Sequence, residues 1–150
     1  MADAVADYLK AVEKEVARGV ATEHSYRPEL KSLVESLSTG VAAVNEPKRS
    51  ECGAPDYLVS KRNLPLGYIE AKDIGADLNS IEKSNQLKRY LHALENLILT
   101  NYLEFRWYCN GELRQVAHAA HLVGDKVQTD KEGAAQTTKM LQEFLAHQPQ

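Results

Sequence analysis

Asp56, Glu70 and Lys72 are the residues whose types and spacing suit one chemistry. Gly53-Ala54-Pro55-Asp56-Tyr57-Leu58-Val59 and Leu66-Gly67-Tyr68-Ile69-Glu70-Ala71-Lys72-Asp73 contain two short apolar runs. Ser60-Lys61-Arg62-Asn63-Leu64-Pro65 lies between them and reads as a turn, so the pattern predicts a β-hairpin. Side chains alternate along a strand, which puts Glu70 and Lys72 on one face and Ile69 and Ala71 on the other. In the simplest register Asp56 lies beside Glu70 and Lys72. Two carboxylates held close raise each other's pKa unless a cation sits between them. Mg²⁺ takes oxygen ligands and keeps several waters, which suits one or two carboxylates plus a substrate phosphate. The peptide carbonyl of Ala71 is a further candidate ligand. A bound divalent ion acidifies a water and neutralises charge on a phosphoryl oxygen. Lys72 is placed to orient or deprotonate that water, or to stabilise the added negative charge of the transition state. The group suits metal-assisted phosphodiester hydrolysis. A Glu-x-Lys strand can also be a solvated face carrying a weak ion pair. The apolar flanks argue instead for central strands.

The elements that must position this group follow from periodicity. Val5, Tyr8, Leu9, Val12 and Val16 recur at helical spacing, and Gly19 stops that helix. Leu30, Leu33, Val34 and Leu37 form a second helical face, with Pro28 near its start and Gly40 at its close. Thr22 to Arg27 is either a first turn or a loop, because proline disfavours helix at the preceding residue. Val41 to Val44 predicts a short strand, followed by a polar loop through Lys48 to Glu51. Leu78 to Leu94 predicts one helix, and Leu97-Ile98-Leu99 a buried strand. Phe105 to Cys109 and Leu113 to Leu122 flank Asn110-Gly111, a strong hairpin signal. Gly133 to His147 predicts a last helix. The sum is an α/β (α+β) domain, a mixed sheet with helices packed on it.

With 150 residues, 43% apolar and 26% charged, the chain suits one domain with one core. No apolar run reaches the roughly 20 residues needed to span a membrane. The acidic N-terminus is unlike a secretory signal. Cys52 and Cys109 have no metal-type spacing and read as idle thiols in a reducing cytoplasm. The five histidines show no zinc pattern, and His118 and His121 read as surface. A net charge of -3 leaves any grip on nucleic acid to local patches. Lys48, Arg49, Lys61, Arg62, Lys83, Lys88 and Arg89 are candidate phosphate contacts. Trp107 and Tyr108 read as sheet packing.

Pro55-Asp56, then thirteen residues, then Glu70-Ala71-Lys72 resembles the PD-(D/E)xK nuclease motif. Gln86-Leu87-Lys88-Arg89-Tyr90 resembles the QxxxY motif of nuclease subunits of restriction and recombination enzymes in that superfamily. Gln86 and Tyr90 stack on one helical face, within reach of DNA or the metal site; alone they would read as a surface pair. Thr22 to Arg27 resembles the N-terminal segment of restriction-type nuclease domains, where a glutamate on or before the first core helix completes the metal site. Glu23 is the candidate for that position. At helical pitch it falls on the side of Leu30, Val34 and Leu37, whereas Glu35 points away; Glu29 is the reserve.

The resemblance spans roughly residues 20 to 110 of a single domain covering 1–150. Residues 1–20 add an N-terminal helix and 111–150 an extension. It implies a restriction-endonuclease-like sheet, a double-stranded DNA substrate and dependence on Mg²⁺, with Mn²⁺ as a substitute. Products would carry 5′-phosphate and 3′-hydroxyl ends. The chain is similar to the N-terminal nuclease domain of single-chain restriction-modification enzymes, which join it to a helicase or adenine methyltransferase. It has no Asn-Pro-Pro-Tyr and no Gly-rich phosphate loop. It is therefore expected to be one domain of a larger chain or a free-standing nuclease. The alternative is a catalytically silent module of the same fold that binds nucleic acid or a protein partner.

Overall fold

The computed structural model describes residues 3–19, 23–45 and 54–148. Lys48, Arg49 and Cys52 lie outside the described residues, as does the side chain of Glu23.

Helix α1 (Ala4–Ala17) opens on Asp3, whose side chain accepts from the Ala6 amide. This satisfies one of the free N–H groups of the first turn. Its buried face is Val5, Tyr8, Leu9 and Val12, and Gly19 ends it at φ +70°. Helix α2 (Arg27–Ser36) is entered through a single 3-10 turn, Glu23–Tyr26. The expected conflict between Pro28 and helix at Arg27 does not arise. Proline in the first turn removes an N–H that has no intrahelical partner anyway.

Strands β1 (Val41–Asn45), β2 (Tyr57–Lys61) and β3 (Leu64–Ala71) form an antiparallel ribbon. The β2–β3 turn is tighter than the sequence suggests. It is only Arg62-Asn63, both with positive φ (50° and 71°), a backbone twist that matches that of the strands. From β3 the chain crosses over through α3 (Leu78–Glu82) and α4 (Asn85–Ala93) to β4 (Asn96–Thr100), which pairs parallel with β3. The single helix expected over Leu78 to Leu94 is thus two. Ser84 accepts from the Leu87 amide and caps a new helix start, which breaks the run.

Strands β5 (Glu104–Cys109) and β6 (Glu112–His118) complete a sheet in the order β1-β2-β3-β4-β5-β6, turning at Asn110-Gly111 as expected. The predicted strand through Leu122 stops at His118. Ala119 instead donates to the Leu103 carbonyl, and β7 (Ala120–Val123) pairs with β8 (Lys126–Thr129), a strand the pattern did not reveal. Helix α5 (Lys131–Leu145) lies so close to β6 that a Cβ on Gly133 would fall 1.8 Å from the His118 carbonyl oxygen.

The sheet separates two apolar clusters. The larger holds α1, α2 and α5 against Val59, Ile69 and Ile98; the smaller holds α3 and α4 against Leu97, Leu99 and Tyr108. Ile98 points to one and its neighbours Leu97 and Leu99 to the other, as the period of a strand requires. Among the described residues no helix is long and apolar enough to cross a membrane.

Candidate active site

Pairing of Tyr57 with Ile69 sets Asp56 against Glu70 across the β2–β3 ribbon. The Asp56 backbone N–H donates to Glu70 Oε1 at 3.2 Å, and Asp56 Oδ2 accepts the Ala71 N–H at 2.7 Å. Lys72, one residue beyond β3, donates its own N–H to the Thr100 carbonyl of β4, so the parallel pairing extends to the lysine. Its Nζ lies 3.1 Å from Glu70 Oε2 and donates to Gln86 Oε1 at 3.2 Å. Asp56, Glu70, Lys72 and Gln86 therefore meet at one place, at the end of β3.

Burial of Glu70, whose residue is 4% exposed, pushes its carboxyl up to about 7, with the charge of Asp56 adding to the rise and Lys72 opposing it. The two carboxylates are held close enough to repel.

Two other expected members stand differently. Tyr90 is 1% exposed, packed in the smaller cluster with Leu78, Leu87 and Leu97. The Tyr90 ring is thus enclosed by the smaller cluster and not presented at the surface beside Gln86. Gln86, its partner in the motif, is the exposed member and reaches Lys72. Glu29 lines a cleft between α1 and α2 with Asp7 and Tyr8. Glu35, expected to point away, accepts from the Ala43 amide and pairs with Lys31. The Glu23 backbone belongs to the turn leading into α2.

One residue was missed. Arg27 Nη2 lies 2.8 Å from Asp56 Oδ1, in a pair whose side chains are only 12% and 16% exposed. Nothing in the local pattern points to it, because the contact depends on how α2 docks against the sheet. Some proposed phosphate contacts also disperse. Lys61 and Arg62 occupy the far end of the β2–β3 ribbon, on the order of 20 Å from Asp56 along an extended strand. Lys88 and Arg89 are exposed on α4 with Gln86. Trp107 and Tyr108 are sheet packing as expected: the indole donates to Asn96 Oδ1 and the phenol to Glu82.

Among the described residues no three His, Cys, Asp or Glu side chains form a metal cage. Asp56 and Glu70 are a two-carboxylate set. That is the donor chemistry a hard cation accepts when waters and a phosphate complete its shell, so the residues fit Mg²⁺.

No family model matches the chain, and no curated protein matches its sequence. Among solved structures it is similar to a chain of the cryoEM DrdV–DNA complex, at a TM-score of 0.76 and 21% identity. The match covers 97% of this chain and 14% of that one, so this chain spans a small part of its neighbour's length. The likeness identifies the fold: a six-stranded mixed sheet flanked by helices, of restriction-endonuclease type.

Proposed function

We propose that this domain is a Mg²⁺-dependent deoxyribonuclease of the PD-(D/E)xK type, hydrolysing phosphodiester bonds in double-stranded DNA. The observation that carries the reading is the convergence of Asp56, Glu70 and Lys72, joined through hydrogen bonds and an ion pair at the end of β3. A neighbour of the same fold solved with DNA supports the class of substrate.

In this reading Asp56 and Glu70 hold the divalent ion, with the Ala71 carbonyl and Glu23 as further candidate ligands; Mn²⁺ would substitute. The ion supplies an acidified water and neutralises phosphoryl charge. The remaining work belongs to the chain. Ala71 fixes the Asp56 carboxylate through Oδ2. Lys72 has three N–H donors, of which Glu70 and Gln86 take two. The third is left to orient the attacking water or to meet the oxygen that gains charge. Gln86 is a positioning residue, and Tyr90 supports α4 beneath it.

The domain would work within a larger polypeptide carrying helicase or methyltransferase domains that choose the target. The small share of the neighbour's chain that it matches is consistent with this. The test is plasmid nicking with Mg²⁺ or Mn²⁺ at high protein concentration, alongside Asp56→Ala and Lys72→Ala. Nicking by the parent alone supports the reading. Equal nicking by all three removes it.

A further inference from the structure

We propose that Arg27 holds the cation position on Asp56 and is exchanged for the divalent ion when that ion binds. The inference rests on the reading of Asp56 as a metal ligand and adds a residue to it.

Asp56 Oδ2 accepts the Ala71 N–H, and an ion held by this carboxylate would meet whatever already occupies Oδ1. The Arg27 guanidinium sits 2.8 Å from that oxygen. A dication within ligand distance and a guanidinium within hydrogen-bond distance of one oxygen repel each other. The surroundings are largely dry, where such repulsion is screened little. One must leave.

The pair is also built, not incidental. Arg27 is the first residue of α2, and its carbonyl accepts a hydrogen bond from the Tyr57 hydroxyl at 2.8 Å. Tyr57 is fully buried and adjoins Asp56. The backbone that carries the guanidinium is thus tied to the strand that carries the carboxylate. Without a metal, Asp56 and Glu70 would face each other as like charges. Arg27 compensates one and Lys72 the other. Metal binding makes the first compensation redundant, and Arg27 yields its place.

The test is calorimetric titration of Mg²⁺ and of Mn²⁺ into the parent, Arg27→Gln and Asp56→Ala, with thermal unfolding in EDTA. Arg27→Gln should bind the ions about 5–10-fold more tightly, because no charge-assisted hydrogen bond is broken to admit them. Its metal-free Tm should fall. Unchanged or weaker binding by Arg27→Gln, with Asp56→Ala impaired, overturns the exchange and leaves the metal site standing. Equal binding by Asp56→Ala and the parent overturns the metal site itself.

If Arg27→Gln does not fold, the parent carries the test by NMR of arginine side-chain nitrogens, with Arg27→Lys for assignment. Saturating Mg²⁺ should shift the Arg27 resonance. A resonance that does not move overturns the proposal.

Discussion

Gln86 reaches back from the exposed side of α4 to accept a hydrogen bond from Lys72 Nζ at 3.2 Å. The crossover helix thereby steers the ammonium that the strand delivers. Lys72→Ala should abolish nicking while leaving fold and Mg²⁺ binding largely intact. Gln86→Ala should lower the cleavage rate by about tenfold, a loss of orientation without loss of the group. Single-turnover cleavage with saturating metal reads both, and full activity of Lys72→Ala would remove the lysine from the mechanism.

Asp56→Ala should weaken Mg²⁺ binding by at least about tenfold and suppress cleavage, since it deletes one of two carboxylates in the set. Calorimetry measures the first effect independently of the second. Undiminished binding would take Asp56 out of the metal shell.

The raised carboxyl of Glu70 predicts a pH dependence of the metal-free protein. Its folded value is about 7 against an ordinary 4.5, so the folded chain holds this proton more tightly than the unfolded one. The resulting stabilisation is complete below about pH 4.5 and is lost as pH rises to about 7. Thermal unfolding in EDTA across that window should show the decline, and Glu70→Gln should lack this part of it. Mg²⁺ should reduce the slope, because a bound cation favours the ionised carboxylate. Identical pH profiles for parent and variant would refute the assignment.

Asn96 predicts a cost in stability away from the chemistry. It is 2% exposed, donates to the carbonyls of Leu66 and Phe144, and accepts from the Trp107 indole. It joins β3, β5 and α5 around β4. Asn96→Ala removes all three hydrogen bonds, leaves the Trp107 indole N–H without its acceptor, and should cost about 2–4 kcal/mol. Urea denaturation at constant m-value measures it. A change below about 0.5 kcal/mol, the size typical of a surface substitution, would mean that the network relaxes without it.

The convergence of Asp56, Glu70 and Lys72 was legible because it is local. Asp56 and Glu70 sit in one hairpin whose period-two alternation and register can be read from its apolar residues. The sheet core was legible for the same reason, through Leu97-Ile98-Leu99 and Asn110-Gly111. The helix break was marked only by the capping serine, Ser84, inside a run whose apolar spacing continues past it. Tyr90 could be given a helical face but not a depth, since its burial depends on how α4 lies on β4 and β5. The β7–β8 ribbon is short, and most of its residues are exposed, so its periodic signal is weak. Arg27 was hidden for the strongest reason: helix docking between distant segments has no period.

The tether between the Tyr57 hydroxyl and the Arg27 carbonyl makes α2 a lever whose short arm is a guanidinium. A tilt of that helix would reach Asp56 by two routes, through the guanidinium and through the tethered strand. A mechanical input to α2 would thus be converted into an electrostatic output at Asp56.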